Sequence, residues 1–153
     1  LYILKDIMLK RRNININFLY DIYCSVQDDY EKKINKAEFT TFILKEYNIF
    51  LVSEPNPVGY LKATIVKDQM EIISFVIDKN NRKKGIGKTL LNKTLLFAAN
   101  KKISSIFLEV SVENNIAINL YEKFNFLKIG KRKNYYNFNE KKVNAYIMKL
   151  NLP

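Results

Sequence analysis

Arg82-Lys83-Lys84-Gly85-Ile86-Gly87-Lys88 stands between a β-prone run, Met70 to Ile77, and an amphipathic pattern. In that pattern Ile86, Leu90, Thr94 and Ala98 form one stripe, with Leu91 and Leu95 beside it. A further β-prone run, Ile103 to Ser111, follows the helical stretch. A strand, a glycine-bearing turn, a helix and a strand in that order predict a right-handed crossover joining two parallel strands of one sheet. Two glycines at the mouth of a helix let a ligand approach the backbone closely. The unpaired N–H groups of the first turn and the helix dipole then suit an anion, most often a phosphate. Lys83, Lys84 and Lys88 add positive charge at the same place. Two familiar phosphate motifs are excluded. A P-loop needs glycine at position 82, where Arg82 stands, and the dinucleotide fingerprint needs glycine at position 90, where Leu90 stands. A lone G-x-G is also what a plain strand-to-helix turn requires; the strand ending in Asp78 and the preceding Arg82 make this one narrower.

The flanking elements follow from periodicity. Phe18, Ile22 and Val26 at four-residue spacing predict a helix over residues 17–27, and Asp28-Asp29-Tyr30-Glu31-Lys32-Lys33 predicts a loop. A second helix starts at Asn35, with Glu38 as its capping-box partner and Phe39, Phe42, Ile43 and Tyr47 as its apolar set. Ile49 to Ser53, Val58 to Val66 and Met70 to Ile77 predict an antiparallel meander with turns at 54–57 and 67–69. A short helix over 115–123 and strands near 126–133 and 143–150 complete the chain. The order α-α-β-β-β-α-β-α-β-β is an α/β (α+β) architecture: a mixed, mostly antiparallel sheet with a central parallel pair, flanked by helices. No linker, repeat or composition shift divides the 153 residues, so a single domain over 1–153 is expected.

Composition restricts the chemistry. Histidine is absent and cysteine occurs once, at Cys24. Ser-His-Asp and Cys-His schemes lack their base, and a His/Cys zinc cage lacks its ligands, so no metal is expected. One cysteine forms no internal disulfide, which suits a reducing, cytoplasmic setting. Proton transfer falls to carboxylates, Tyr, Lys, water or backbone groups. The apolar stretches are far shorter than the ~20 residues of a membrane span, and the start, Leu1 to Asp6, carries an early acid and no signal-peptide pattern. The formal charge of +11 invites a polyanionic partner, but the Lys are scattered in a chain rich in Lys, Asn and Ile, so direct nucleic-acid binding is not expected.

A second constellation is Leu108-Glu109-Val110, then Asn114 and Asn115, then Tyr121. Strand alternation puts Ile106, Leu108 and Val110 on one face and Phe107, Glu109 and Ser111 on the other. Glu109 is either a rim carboxylate paired with a lysine or a partly desolvated carboxylate able to take a proton near neutrality. Tyr121, on the following helix, has the spacing of a core aromatic as much as that of an acid.

The order and spacing of these pieces resemble one family. The segments ISFVIDKNNRKKGIGKTLL, IFLEVSVENNIAINLYEKFNF, KIGKRKNYYNF and NAYIMKL, from residues 72 to 150, are similar to acetyl-CoA-dependent N-acetyltransferases of the GNAT superfamily. Within it, LEVSVENN-x-AI-x-LYE followed by R-x-NYY resembles the RimI-type ribosomal-protein-alanine N-acetyltransferases and their protein N-terminal relatives. The resemblance implies that Phe75, Val76 and Ile77 offer backbone groups to the pantetheine arm and thioester. It implies that Arg82, Lys83, Lys84, Gly85, Ile86, Gly87 and Lys88 hold the pyrophosphate and that Asn114 contacts the cofactor. Glu109 would be the proton acceptor and Tyr121 the proton donor. Two positions depart from the pattern. Asn125 stands where relatives carry glycine, which asparagine's tolerance of left-handed backbone allows, and Asn144 stands where an acid often precedes the alanine of the last strand.

The implied acceptor is a protein N-terminal amine, most of all the alanine of a ribosomal protein, and Asn134-Tyr135-Tyr136 resembles the peptide-handling part of such enzymes. The acids of 28–31 would attract a basic N-terminus, unless that loop is merely solvated. The alternatives are a transferase for a small amine (a polyamine or an aminoglycoside) and a non-catalytic CoA-binding or ribosome-associated module.

Overall fold

Reciprocal hydrogen bonds start the second helix where the sequence expects them. Asn35 Oδ1 accepts from the Glu38 N–H at 3.0 Å and the Glu38 carboxylate accepts from the Asn35 N–H at 2.9 Å. In this computed structural model the described residues are 15–26, 34–45, 48–52, 57–138 and 141–153. They form α1 (Ile16–Ser25), α2 (Lys36–Leu44), β1 (Asn48–Val52), β2 (Gly59–Val66), β3 (Gln69–Ile77), α3 (Ile86–Asn100), β4 (Ser105–Ser111), α4 (Asn115–Lys123), β5 (Leu127–Phe138) and β6 (Lys141–Asn151). The six strands make one sheet in the order β1-β2-β3-β4-β6-β5. Only the β3–β4 pair is parallel, joined through α3, so the expected mixed sheet with one parallel pair is present. No described helix is long and apolar enough to cross a membrane.

Helices cover both faces. Leu90, Leu91 and Ala98 of α3 and Ile118 and Tyr121 of α4 pack on Leu61, Ala63, Met70, Ile72, Ile106, Leu108 and Val110. On the opposite face Leu19, Ile22 and Tyr23 of α1 and Phe39 and Ile43 of α2 pack on Tyr60 and Val76. The α1 stripe is therefore rotated from the Phe18, Ile22, Val26 expectation, and Phe18 is exposed. Tyr23 takes the inward place because its ring meets Phe39, centroids 5.0 Å apart, while its hydroxyl accepts from the Ile34 N–H at 3.3 Å. Ser111 is buried opposite Ala145 of β6.

The register explains how the sheet opens. Between Lys62 and Ala63 the β2–β3 pairing jumps from Ser74 to Ile72, which leaves Ile73 as an extra residue in β3. A bulge bends its strand. The parallel ladder with β4 runs from Gln69–Ser105 to Ile72–Leu108 and ends where that bulge begins. β3 continues to Ile77 and β4 to Ser111 without pairing to each other, so the sheet splits at its centre.

Gly59, at the start of β2, is dictated by backbone crowding: a Cβ there would lie 2.5 Å from both the Val76 carbonyl oxygen and Ile77 Cδ1. Gly59→Ala is expected to destabilise the protein by about 1–3 kcal/mol in denaturant titrations. Lys62 is buried in β2, its Nζ donating to the Phe42 carbonyl and lying 3.1 Å from the Phe42 ring centroid. Burial, with the Lys45 charge as a lesser cause, pulls its ammonium from 10.5 down to about 8. The unfolded chain therefore holds a proton that the native protein has shed between these values, and stability rises with pH across that window. Lys62→Met is expected to flatten the rise, as measured by denaturant midpoints from pH 7.5 to 10.

Candidate active site

Beyond Ile72 the backbone groups of β3 divide between two sides. The Asp78 N–H donates to Val58 O at 2.7 Å, and antiparallel pairing alternates from there. The main-chain groups of Val76 consequently face Tyr60 in β2, and those of Phe75 and Ile77 face the split toward β4. Of the three residues expected to present backbone to a thioester arm, Phe75 and Ile77 turn theirs toward the split and Val76 turns its own toward β2.

The turn after β3 leads into α3. A 3-10 turn at Lys79–Asn81 is followed by Lys83 at φ +60° and Gly85 at φ +79°, with Gly85 as the N-cap of α3. The Thr89 N–H bonds Gly85 O at 3.0 Å, so the N–H groups of Ile86, Gly87 and Lys88 precede the helical ladder. Lys83, Lys84 and Lys88 are exposed around this end. The loop is pinned from behind. Arg82 Nε donates to Ile77 O at 3.2 Å, Asn81 Nδ2 to Asp78 Oδ2 at 2.7 Å, and Ser25 Oγ of α1 to Asp78 Oδ1 at 3.2 Å. Lys84 Nζ donates to Asn81 Oδ1 at 3.3 Å. A Cβ on Gly87 would meet Leu120, Ile77 and Phe75 at 3.6 to 3.8 Å, so its bare Cα leaves room above those three side chains.

Tyr121 lies on this same side. Its ring is buried, with centroids 6.3 Å from Phe75 and 5.7 Å from Phe126. The end of α4 holds it there. The Phe126 N–H bonds Tyr121 O at 3.1 Å and the Asn125 N–H bonds Glu122 O at 3.0 Å, a Schellman ending with Asn125 at φ +64° and its apolar contact between Phe126 and Tyr121. Asparagine thus serves where glycine was expected. At the other end of α4, Asn114 Oδ1 caps the helix through the Ala117 N–H at 3.1 Å, leaving its amide NH2 for any further contact.

Glu109 faces the opposite side of the sheet from Tyr121, since its neighbours Leu108 and Val110 pack in the core with Tyr121. Its side chain is only 16% exposed, and its partner is Arg132, with Nη1 3.0 Å from Oε1, rather than a lysine. Tyr135 also hydrogen-bonds the carboxylate; that bond first, then burial, pushes its phenol above the ordinary value. The Tyr136 hydroxyl donates to the Glu109 main-chain oxygen at 3.5 Å. These groups come from an irregular stretch of β5, where the pairing with β6 jumps between Arg132 and Tyr136 and Asn134 has φ +54°. The Asn134 N–H is tied to Asn144 Oδ1 at 2.9 Å, which is what the asparagine in place of the usual acid does. Sequence reasoning passed over Arg132. It stands opposite Ala145 of β6, which in turn stands opposite Ser111 of β4, so it reaches Glu109 across an intervening strand. The acidic 28–31 stretch lies outside the described residues.

A split parallel pair, a helix start ringed by lysines on one face and a carboxylate on the other suit the transfer of a group from a phosphate-bearing donor on one side of the sheet to an acceptor on the other. The chain belongs to the acetyltransferase (GNAT) family, whose model matches residues 16–126. It is similar to an N-alpha-acetyltransferase of Saccharolobus solfataricus, 40% identical over 69% of this chain and 71% of that one. It is also similar to the ribosomal protein bS18-alanine N-acetyltransferase of Escherichia coli, 26% identical over 67% of this chain and 70% of that one. The crystal structure of the Escherichia coli ribosomal-protein-alanine N-acetyltransferase shares the fold, with TM-score 0.79 at 22% identity over 89% of this chain and 86% of that one. The protein is an acetyl-CoA-dependent N-acetyltransferase.

The residues present fit such a donor: uncapped N–H groups at Ile86 to Lys88, the exposed Lys83, Lys84 and Lys88 around them, and an open β3 edge at Phe75 and Ile77. Lys83→Gln and Lys88→Gln together are expected to raise the acetyl-CoA KM about tenfold or more while leaving the melting temperature nearly unchanged, as read by steady-state kinetics beside thermal melts.

Proposed function

We propose that the chain acetylates the N-terminal α-amine of a protein, with the N-terminal alanine of a ribosomal protein as preferred acceptor. The observation that carries this reading is Glu109, turned away from the donor-side turn and lying under the Arg132–Tyr136 stretch with its two tyrosines. The activities named for the Escherichia coli and Saccharolobus solfataricus relatives support it. The absence of histidine and the single cysteine agree with a carboxylate-based reaction in the cytoplasm.

An α-amine, with an ordinary pKa of about 8, is largely protonated near neutrality and must lose a proton before it attacks. Glu109 takes that proton, directly or through a water. Acetyl-CoA supplies the acetyl group as an activated thioester. The N–H groups of Phe75 and Ile77 face the split about 7 Å apart along the strand, so one stabilises the developing oxyanion and the other bonds the arm that carries it. The Tyr121 hydroxyl gives its proton to the departing thiolate. Arg82 fixes the turn to β3, and the main chain of Lys83 through Lys88, with the three lysines, holds the pyrophosphate. Asn114 contacts the cofactor through its amide NH2. Holding both reactants at the split supplies much of the rate.

The test is acetyl transfer to short peptides beginning with Ala, Ser or Met, to a blocked peptide, to spermidine and to an aminoglycoside, with CoA release and product mass read together. The reading expects labelling of free-amine peptides only, Ala first. Labelling of spermidine or the aminoglycoside instead sinks the acceptor and keeps the donor chemistry; acetyl-CoA binding with no transfer at all points to a non-catalytic module. Glu109→Gln is expected to lower kcat/KM about 10²-fold or more and to flatten its acid limb, and Tyr121→Phe to lower kcat with little change in the acetyl-CoA KM. An unaltered pH profile in Glu109→Gln removes Glu109 as the base.

A further inference from the structure

Arg132 takes no part in the steps above, yet it holds the carboxylate on which they turn. Its side chain is 56% exposed against 16% for that of Glu109, so the guanidinium covers the solvent side of the carboxylate, the side an acceptor must approach from. Arg132 stands in line with Ala145 and Ser111, and it reaches Glu109, opposite Ile147, diagonally past the small Ala145 side chain. The Arg132 guanidinium also lies over the Tyr135 ring, 5.2 Å from its centroid, and Tyr135 itself is 45% exposed. Tyr135 bonds the Glu109 carboxylate as well, while Tyr136 bonds its main-chain oxygen.

We propose that Arg132 is a positioning residue for Glu109 that stands in for the acceptor's cation and is exchanged for it on binding. The inference rests on Glu109 as proton acceptor. Arg132 is half exposed and swings readily into water, and the incoming cation keeps the mostly buried carboxylate paired, so the exchange leaves no buried charge alone. The Tyr135 hydroxyl keeps a bond to the carboxylate during the exchange. Acetylation then removes the acceptor's charge. The amide product has no cation to offer; once Glu109 has passed the amine's proton to water it is a carboxylate again, and Arg132 returns and helps expel the product. An uncharged N-terminus cannot start the exchange.

The test compares wild type, Arg132→Gln, Arg132→Lys and Tyr135→Phe, each loaded with CoA. Calorimetric titrations use an Ala-initiated peptide, its N-acetylated form and spermidine, and are paired with kcat and KM. Arg132→Gln is expected to bind the free-amine peptide about two- to five-fold tighter, with kcat reduced and the KM for acetyl-CoA unchanged. The acetylated peptide gains nothing. Arg132→Lys is expected to restore most of kcat, and Tyr135→Phe to lower kcat without tightening the peptide. Unchanged or weaker peptide binding by an Arg132→Gln protein that melts like wild type overturns the exchange. If wild type binds and acetylates spermidine but no peptide, the proposed acceptor fails, and the exchange is judged by the same comparison on spermidine.

Discussion

The parallel pairing of β3 with β4 stops at Ile72 and Leu108, and the site depends on that stop. A parallel pair at the centre of a sheet normally stays closed, because each strand's N–H and C=O groups satisfy the other's. Here Ile73 is one residue too many for the β2 partner, and the bend it imposes carries the end of β3 away from β4. Main-chain groups at Phe75 and Ile77 are thereby aimed into an opening instead of into a ladder. A ligand bearing amides and a thioester would complete their bonding, the role proposed for the donor's arm.

Because the opening passes through the sheet, the two faces can hold different partners. The donor face carries the Gly85–Lys88 helix start and Tyr121, whose ring is fixed between Phe75 and Phe126 by the ending of α4. The other face carries Glu109 with Arg132, Tyr135 and Tyr136. Left-handed backbone marks the places where the chain turns sharply to build these faces. Lys83, Gly85, Asn125 and Asn134 all have positive φ beside the site, while Lys67 and Lys102 have it in turns at the far end of β3 and β4. Such conformations are held by their surroundings, as the ties from Asn134 to Asn144 and from Asn125 to Glu122 show.

Much of this was legible in the sequence because it is local. The Asn35–Glu38 cap, the G-x-G start of α3 and the strand alternation of Ile106, Leu108 and Val110 depend on residues a few positions apart, and each appears where expected. The α1 face was misjudged because spacing treats Phe18 and Tyr23 as equal apolar markers, whereas Tyr23 finds a bond to the Ile34 N–H. The length of β5, the bulge at Ile73 and the pairing of Arg132 with Glu109 all depend on partners two or more strands or many residues away. Nothing in the run Lys131-Arg132-Lys133 distinguishes the base that crosses β6 from its two neighbours; the small Ala145 opposite it does.

Amide hydrogen exchange with and without acetyl-CoA tests most directly whether the split at Ile72 is the donor site. The account predicts slowed exchange at Phe75, Ile77 and Ile86 through Lys88, with little change at Val76, whose N–H faces β2. Equal protection of Val76 and its neighbours, or protection confined to segments away from the split, would contradict it.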